Sequence, residues 1–479
     1  MQTLVWFRND LRIHDNPALH YALQDSVNYK SSRVSGIYIL CGEYVKSHPM
    51  GKRKLWFIRE SLRELQQTLA QCGIALEFLW VAKAADIPAS IIDYCQRFNF
   101  ERLTCNAEYP LDELNRDRAT KHACEQADIE FKRYHDRCLV PPGALHTQQG
   151  DTYKVFTPFS KAWKRLVSET SLQVYPAPQA QPKNRQKFSA NPEALEKCFA
   201  SFDPDDMSEF WQPGEQAALE RLSEFCREDI HDYNKLRDFP AVEGTSGLSP
   251  YLAVGALSPK QCLLAASLAS DEHWSAAEGV SVWVNELIWR EFYMHIAAAF
   301  PQVSRYKPMQ DYTDNVQWLN DEQTYAAWCR GETGVPIVDA AMVQLNTTGW
   351  MHNRLRMITA MFLSKNLGVD WRRGEHYFMQ QLIDADFCAN NGGWQWSAST
   401  GTDAAPYFRI MNPITQSERY DPGGEFIRSQ LPQFHNTDKK SLHTGEGVTS
   451  YPKPLVDVKI SRKQAIERFA QAKETETTA

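Results

Sequence analysis

The chain has 479 residues, 43% of them hydrophobic, enough for roughly two to four domains with sizeable cores. It has no run of about 18 apolar residues, which excludes a membrane-spanning helix; its 11 scattered cysteines form no CxxC pair, which argues against a disulfide framework or zinc site and fits a reducing, cytoplasmic location. A formal net charge of −7 argues against a globally basic nucleic-acid binder and leaves room only for a local cationic patch.

Met1–Phe7 lacks a basic stretch followed by a long apolar one, so it reads as a strand rather than a signal peptide. Leu4–Phe7, Val34–Leu40, Leu76–Val81, Leu103–Asn106 and Ile129–Tyr134 are short buried-strand patterns. Helical patterns near 52–72, 87–98 and 112–127 lie between them. The alternation predicts an α/β domain over 1–135 with a doubly wound, mostly parallel sheet. No G-x-G-x-x-G follows the first strand, so the dinucleotide fingerprint is missing. Residues 136–214 change character, and Pro141-Pro142-Gly143 and the proline-rich 176–182 read as linker. Over 215–479 strand signals fade. Helical periodicity near 259–269, 279–300, 334–347, 351–367 and 373–383 predicts an all-α domain. Ser249-Pro250 and Ser258-Pro259 each set a capping hydroxyl before a proline suited to the first helical position. The polar end, Lys473–Ala479, is expected to fray.

Four constellations carry chemistry. Thr245-Ser246-Gly247-Leu248-Ser249 precedes a helix start and offers hydroxyls and free amides to an anion such as a diphosphate, or else is a simple capped turn. On the 279–300 helix, Trp283, Glu286, Trp289 (or Arg290) and Tyr293 recur on one side; a carboxylate between tryptophans is an awkward core stripe, although a solvated Glu on a core helix is the alternative. Trp350–Met357 puts Arg354 and Arg356 on a helix, where a buried arginine needs a carboxylate, with Asp384 or Asp386 as candidates. His352 reads as a hydrogen-bonded core residue rather than a metal ligand, and no metal site is expected. Residues 384–409 concentrate acids, amides, Gly392-Gly393, Trp394 and Trp396 in a mixture that no ordinary helix or strand needs. The glycines permit close approach or positive φ, and the tryptophans offer stackable, oxidisable rings. Together they point to a large planar ligand with polar edges and a second aromatic object beside it.

These segments, with Leu4–Arg12, Arg237-Asp238-Phe239-Pro240, Asn285–Tyr293, Gly349–Met357 and Asp384–Arg409, resemble the DNA photolyase/cryptochrome flavoproteins, above all the bacterial class I cyclobutane pyrimidine dimer photolyases. The resemblance runs to about Pro454 and implies an α/β antenna domain, a linker and an all-α FAD-binding domain. It implies light-driven repair of pyrimidine dimers in UV-damaged DNA, with electron transfer from excited reduced FAD. It assigns Tyr233 and Thr245, Ser246, Gly247, Leu248 and Ser249 to the ribityl and phosphates, and Trp283, Asn353, Arg356, Asp384, Ala385 and Asp386 to the flavin and adenine. Gly247 stands where a close bacterial relative has arginine, so that side-chain contact is not expected here while the backbone amides remain available. Asn390 matches the residue facing flavin N5, where a neutral amide favours the anionic reduced flavin.

The same resemblance gives Trp289 and Trp396 the walls that receive a flipped-out dimer, and Glu286 the hydrogen bond to its base edges. Asn353 and Met357 complete that pocket; the related (6-4) photolyases have histidines at both, which favours cyclobutane dimers. Arg237, Arg354, Arg409 and Gln416 match contacts to the DNA backbone. Trp394, Trp371 and Trp318 match an electron relay from the surface. Asp112-Glu113 aligns with an Asn-Glu pair of folate-binding members and Arg305 with a lysine, so the implied antenna is 5,10-methenyltetrahydrofolate rather than a deazaflavin. A monomer is implied. The alternative function is a cryptochrome-type blue-light photoreceptor, against which Asn390 and the lack of a long C-terminal extension count. A dark electron-transfer flavoprotein would leave Glu286, Trp289 and Trp396 without a purpose.

Overall fold

The structure, a computed structural model, describes residues 1–27, 33–179, 192–270, 273–404 and 406–478. Five strands, β1 (Gln2–Phe7), β2 (Arg33–Cys41), β3 (Leu76–Val81), β4 (Arg102–Asn106) and β5 (Glu130–Tyr134), form one parallel sheet in the order β3-β2-β1-β4-β5. Val5 pairs with Gly36 on one side of β1 and Leu4 with Leu103 on the other. All five expected strands are present. The crossovers are α1 (Pro17–Val27), α2 (Lys52–Gln71), α3 (Ile87–Phe98) and α4 (Leu111–Gln126). Helix α1 is additional to the three expected helices; its start is marked by Asn16, whose Oδ1 accepts from Leu19 N at 3.1 Å.

The central strand is buried on both faces, as a parallel sheet requires. Leu4 and Trp6 pack with Ile91, Cys95 and Cys124 of α3 and α4. Val5 and Phe7 open onto a core that runs without a break into the helical region, through Phe159 and Trp163 to Trp283 and Phe292. The stretch expected as linker therefore carries buried structure: α5 (Phe156–Ser168) and α6 (Pro192–Phe199). Trp163 is fully buried and donates from Nε1 to Glu291 at 2.7 Å. Residues 180–182 of the proline-rich segment lie outside the described residues.

The helical region includes α7 (Glu215–Glu228), α8 (Ser249–Val254), α9 (Pro259–Leu268), α10 (Glu278–Ala299), α11 (Pro336–Thr348), α12 (Asn353–Met361), α13 (Trp371–Gln381), α14 (Phe387–Ala398) and α15 (Val458–Thr478). Ser258 caps α9 with the reciprocal partner Gln261, as its sequence predicts. Ser249 is not a cap: α8 begins on it, and its hydroxyl takes the Trp350 indole N–H at 3.3 Å instead. The C-terminal end is not frayed through 473–478 but helical, because Ala465, Phe469 and Ala472 recur at helical spacing and are buried, Phe469 against Val316. Residues 387–398, in the stretch unlike an ordinary helix, are also helical. Two contacts tie the turn before α14 to earlier parts of the chain: Lys54 of α2 donates to the Ala385 carbonyl, and Arg137, just after the α/β domain, pairs with Asp386 at 2.7 Å.

Candidate active site

Helices α10, α12, α13 and α14 and the 245–249 loop enclose a cavity of about 530 Å³. Its wall gathers residues from every constellation read in the sequence. Helix α10 contributes Trp283, Glu286, Trp289 and Tyr293, and α12 contributes Asn353, Arg354, Arg356 and Met357. The turn before α14 brings Asp384, Ala385 and Asp386, and α14 itself Asn390, Gly393, Trp394 and Trp396. Tyr233, Arg237, Ser246 and Ser249 close the remaining side. Thr245, Gly247 and Leu248 belong to the same loop without lining the cavity. Arg409, which is exposed, and Gln416 lie outside that wall, as do Trp371 and Trp318.

Ion pairs set the electrostatics. Arg356 meets Asp384 at 2.7 Å and donates from Nε to the Met351 carbonyl at 2.7 Å, so the expected pair forms with the first candidate acid. Asp386 is taken by Arg137 and caps α14 by accepting from Ala389 N at 3.1 Å. Burial alone would raise the Asp386 carboxyl, but the Arg137 charge holds it below its ordinary value. Arg237 and Glu286 pair with each other at 2.6 Å, and burial pushes the Glu286 carboxyl up against the pull of that arginine. Arg354 pairs with Asp238 at 2.6 Å and lies over the Tyr420 ring. His352 is buried, caps α12 through Nδ1, and is pushed down to about 4 by burial, which makes it a neutral core residue.

Asn390 is oriented from behind. Its Nδ2 donates to the backbone carbonyl of Glu375 at 3.0 Å and to Glu375 Oε1 at 2.9 Å. A carbonyl can only accept, so this contact fixes the amide nitrogen toward Glu375 and leaves the amide oxygen as the group available to the cavity. Glu375 is fully buried, and burial pushes its carboxyl up to about 8. It is therefore neutral near pH 7.

The wall fits a polar, flat occupant. Asp384 Oδ1 and Trp394 Nε1 are buried with no hydrogen-bond partner among the described residues. Of the glycine pair's two expected uses, only close approach is found. A Cβ on Gly392 would lie 2.1 Å from the Tyr293 ring, whereas one on Gly393 would meet nothing within 4 Å on the cavity side. Neither has positive φ; the reason for both is space. Trp289 is backed by Phe156, stacked at 3.6 Å and 3°. Trp394 packs edge-on against Phe378 and Trp328, Trp371 is fully buried at the start of α13, and Trp318 is half-buried against Phe469.

A second, smaller cavity of about 140 Å³ lies outside the C-terminal ends of β1 and β4, where the strand order reverses. Arg8, Glu108, Glu113 and Arg116 line it. Glu113 Oε2 is buried there without a hydrogen-bond partner among the described residues, and His48 Nε2 has only a 3.7 Å approach to Asp112. Asp112 sits at its margin in a two-pronged pair with Arg305, at 2.7 and 3.1 Å. Among the described residues no group of three or more His, Cys, Asp or Glu could hold a metal ion, and no helix is long and apolar enough to cross a membrane.

Sequence reasoning missed Arg137, Glu375 and Phe156. Each acts through a partner far along the chain or on another helix, and only the carboxylate demand of α14 hinted at a distant cation.

Known proteins match this chain throughout. The family model described as the FAD binding domain of DNA photolyase matches residues 283–471, and that described as DNA photolyase matches residues 3–182. The deoxyribodipyrimidine photo-lyase of Escherichia coli is 44% identical over 98% of this chain and 98% of its own length. Among solved structures, a bacterial class III photolyase from Agrobacterium tumefaciens is 32% identical with a TM-score of 0.85, over 99% of this chain and 98% of that one. A Synechocystis cryptochrome is 28% identical with the same TM-score of 0.85, over 98% and 99%.

Proposed function

The chain belongs to the DNA photolyase family, and from that premise we propose how its residues carry out the light-dependent repair of cyclobutane pyrimidine dimers in DNA. It is a carbon–carbon lyase with an FAD-binding domain. When bound, the flavin supplies a light-excited electron donor. The observation that carries the assignment of roles is the convergence, on one cavity, of a charged edge (Arg356 and Asp384), a neutral acceptor (Asn390) and the two tryptophans Trp289 and Trp396.

Tyr233, the 245–249 loop, Trp283, Arg356, Asp384, Ala385 and Asp386 hold the cofactor. Asp384 Oδ1 and Trp394 Nε1, which lack hydrogen-bond partners among the described residues, suit its polar edges. Asn390 presents an oxygen and no acidic proton, so it accepts from an N–H and cannot protonate the ring. Trp289 and Trp396 receive a dimer turned out of the duplex by stacking on it. Phe156 behind Trp289 holds that ring fixed and leaves one face for the dimer. Glu286 has its Oε1 held by Arg237, which leaves its second oxygen for a base edge. Asn353 and Met357 shape the same wall. Arg237, Arg354, Arg409 and Gln416 serve the DNA backbone; Arg237 and Arg354 exchange or share their present carboxylate partners when they do so. Trp394, Trp371 and Trp318 pass electrons in from the surface.

Glu113, whose Oε2 is buried without a hydrogen-bond partner among the described residues, supports an antenna chromophore between the domains and suits a pterin edge better than a deazaflavin. The enzyme acts as a cytoplasmic monomer on UV-damaged DNA. The fold is shared with a cryptochrome, so a photoreceptor reading is tested directly. The protein is reduced chemically and incubated with dimer-containing DNA in the dark and under blue light. Light-dependent loss of dimers is the expected result, and its absence from fully reduced protein overturns the repair reading. Copurification or reconstitution with folate, read by near-ultraviolet absorbance, tests the antenna.

A further inference from the structure

The diphosphate loop has no cation of its own: from Glu243 to Val254 there is neither lysine nor arginine. A positive charge reaches the Thr245–Ser246 turn from outside the cavity. Arg221 of α7 donates from Nε to the Ser246 carbonyl at 2.9 Å and from Nη2 to the Thr245 carbonyl at 3.1 Å. Its third arm is anchored one turn along the same helix, where Nη1 donates to Glu224 at 2.8 Å. One planar guanidinium thus grips two successive peptide units and is itself held in place.

This grip dictates where the amides go. The chain has no cis peptide bond among the described residues, and in a trans peptide the N–H points opposite to the C=O. With the Thr245 and Ser246 carbonyls drawn outward to Arg221, the N–H groups of Ser246 and Gly247 face the other way, and Ser246 lines the cofactor cavity. Gly247 follows at φ +65° and Leu248 at φ −87°, ψ −5°, the alternation of hand that makes successive N–H groups converge on an anion. Among the described residues, none of the amides from Ser246 to Ser249 donates to a protein acceptor.

We propose that Arg221 is a positioning residue for the dinucleotide: by clamping the Thr245 and Ser246 carbonyls it aims the loop amides at the cofactor's diphosphate, and it supplies from behind the positive charge that the loop lacks. The assignment rests on the FAD reading given above. Arg221 touches no phosphate itself. A lysine keeps the charge but cannot grip two carbonyls in one plane, and a glutamine keeps one donor and loses the charge.

The test uses full-length protein stripped of flavin and titrated with FAD, with Arg221→Ala, Arg221→Lys and Arg221→Gln beside the parent. Losing oriented hydrogen bonds to a charged group corresponds to about 10- to 100-fold weaker FAD binding for Arg221→Ala. Arg221→Lys is expected to recover part of that loss and Arg221→Gln less. The phosphorus NMR signals of the bound diphosphate are expected to shift in the variants, a signature that a purely structural residue would not give. Unfolding of the flavin-free forms is expected to stay close to the parent. Parent-like affinity and unshifted phosphorus signals in Arg221→Ala overturn the proposal. So does weakened binding that merely tracks a loss of flavin-free stability. If Arg221→Ala does not fold, Arg221→Gln carries the same comparison. Failure of the parent to bind FAD at all would instead sink the FAD reading.

Discussion

Replacing Glu375 by glutamine should stabilise this enzyme, by an amount that depends on pH in a specified way. The Glu375 carboxyl is fully buried, and burial pushes it up to about 8 from an ordinary 4.5, the Asn390 hydrogen bond offsetting only part of the rise. At pH 7 the group is protonated in the folded protein and ionised in the unfolded chain. Its contribution to stability is complete below pH 4.5 and is lost progressively as pH rises toward 8. At about 1.4 kcal/mol per unit, the displaced titration costs about 3 kcal/mol at pH 7, where the folded group stays neutral, and about 5 kcal/mol above pH 8, where it is ionised while buried. Glu375→Gln abolishes the titration and keeps a carbonyl oxygen for Asn390. The variant's advantage should therefore be close to zero near pH 4.5, grow by about 1.4 kcal/mol per unit and level off above pH 8. Urea unfolding of both proteins in excess FAD, in unit steps of pH, measures the difference directly. A difference that stays flat across the range would show that Glu375 carries no displaced proton, while the orientation of Asn390, fixed by the Glu375 backbone carbonyl, would stand.

Three further outcomes test other parts of the site. Trp394→Phe should impair photoreduction of oxidised FAD, read by flavin absorbance under anaerobic illumination, while repair by chemically reduced protein stays near the parent's; equal loss of both refutes the relay role. Arg356→Ala leaves Asp384, with 2% of its side chain exposed, as an unpaired buried charge, and should cost about 3–5 kcal/mol of unfolding free energy. Adding Asp384→Asn should return part of that cost, and strict additivity of the two changes would show that the pair is not coupled. Trp289→Ala should weaken dark binding of dimer-containing DNA by about 10- to 100-fold, the worth of one stacked base, with little change for undamaged DNA; equal weakening for both would reassign Trp289 to general DNA contact.

The α/β fold was legible because its determinants are local. Strand β1 is apolar on both faces, and each of the other strands is a short run bounded by turns. Helix α1 escaped although Asn16-Pro17 marks its start, since a short helix between two strands has little room to display a period. The 136–214 stretch was harder for a different reason. Its prolines and glycines are a true local signal of irregular backbone, but Phe159 and Trp163 are buried by helices more than a hundred residues away, and no local pattern encodes that. The polar tail misled in the opposite sense: Lys473–Thr478 is polar enough to fray, yet it continues a helix anchored further back by Ala465, Phe469 and Ala472.

The site shows the same division, most sharply in α14. An isolated helix containing Gly392-Gly393, two adjacent asparagines and two tryptophans would be poor, the two glycines alone costing about 1 kcal/mol each. Sequence logic that treats a helix as self-sufficient therefore reads this segment as something else. What makes it helical is its surroundings. Asp386 caps it and is held by Arg137, 249 residues earlier; Gly392 gives way to the Tyr293 ring of α10; Asn391 bonds Gln395 at 2.8 Å; and Asn390 is tied back to Glu375 of α13. Each residue that is costly in a free helix is there because a neighbouring element or the cavity occupies the space beside it. The residue types thus mark the wall of a cavity that the sequence points to, while the helical backbone could not be read from it. The same crowding that hides the helix from a local reading orients the Asn390 oxygen and the Trp394 ring toward the cavity.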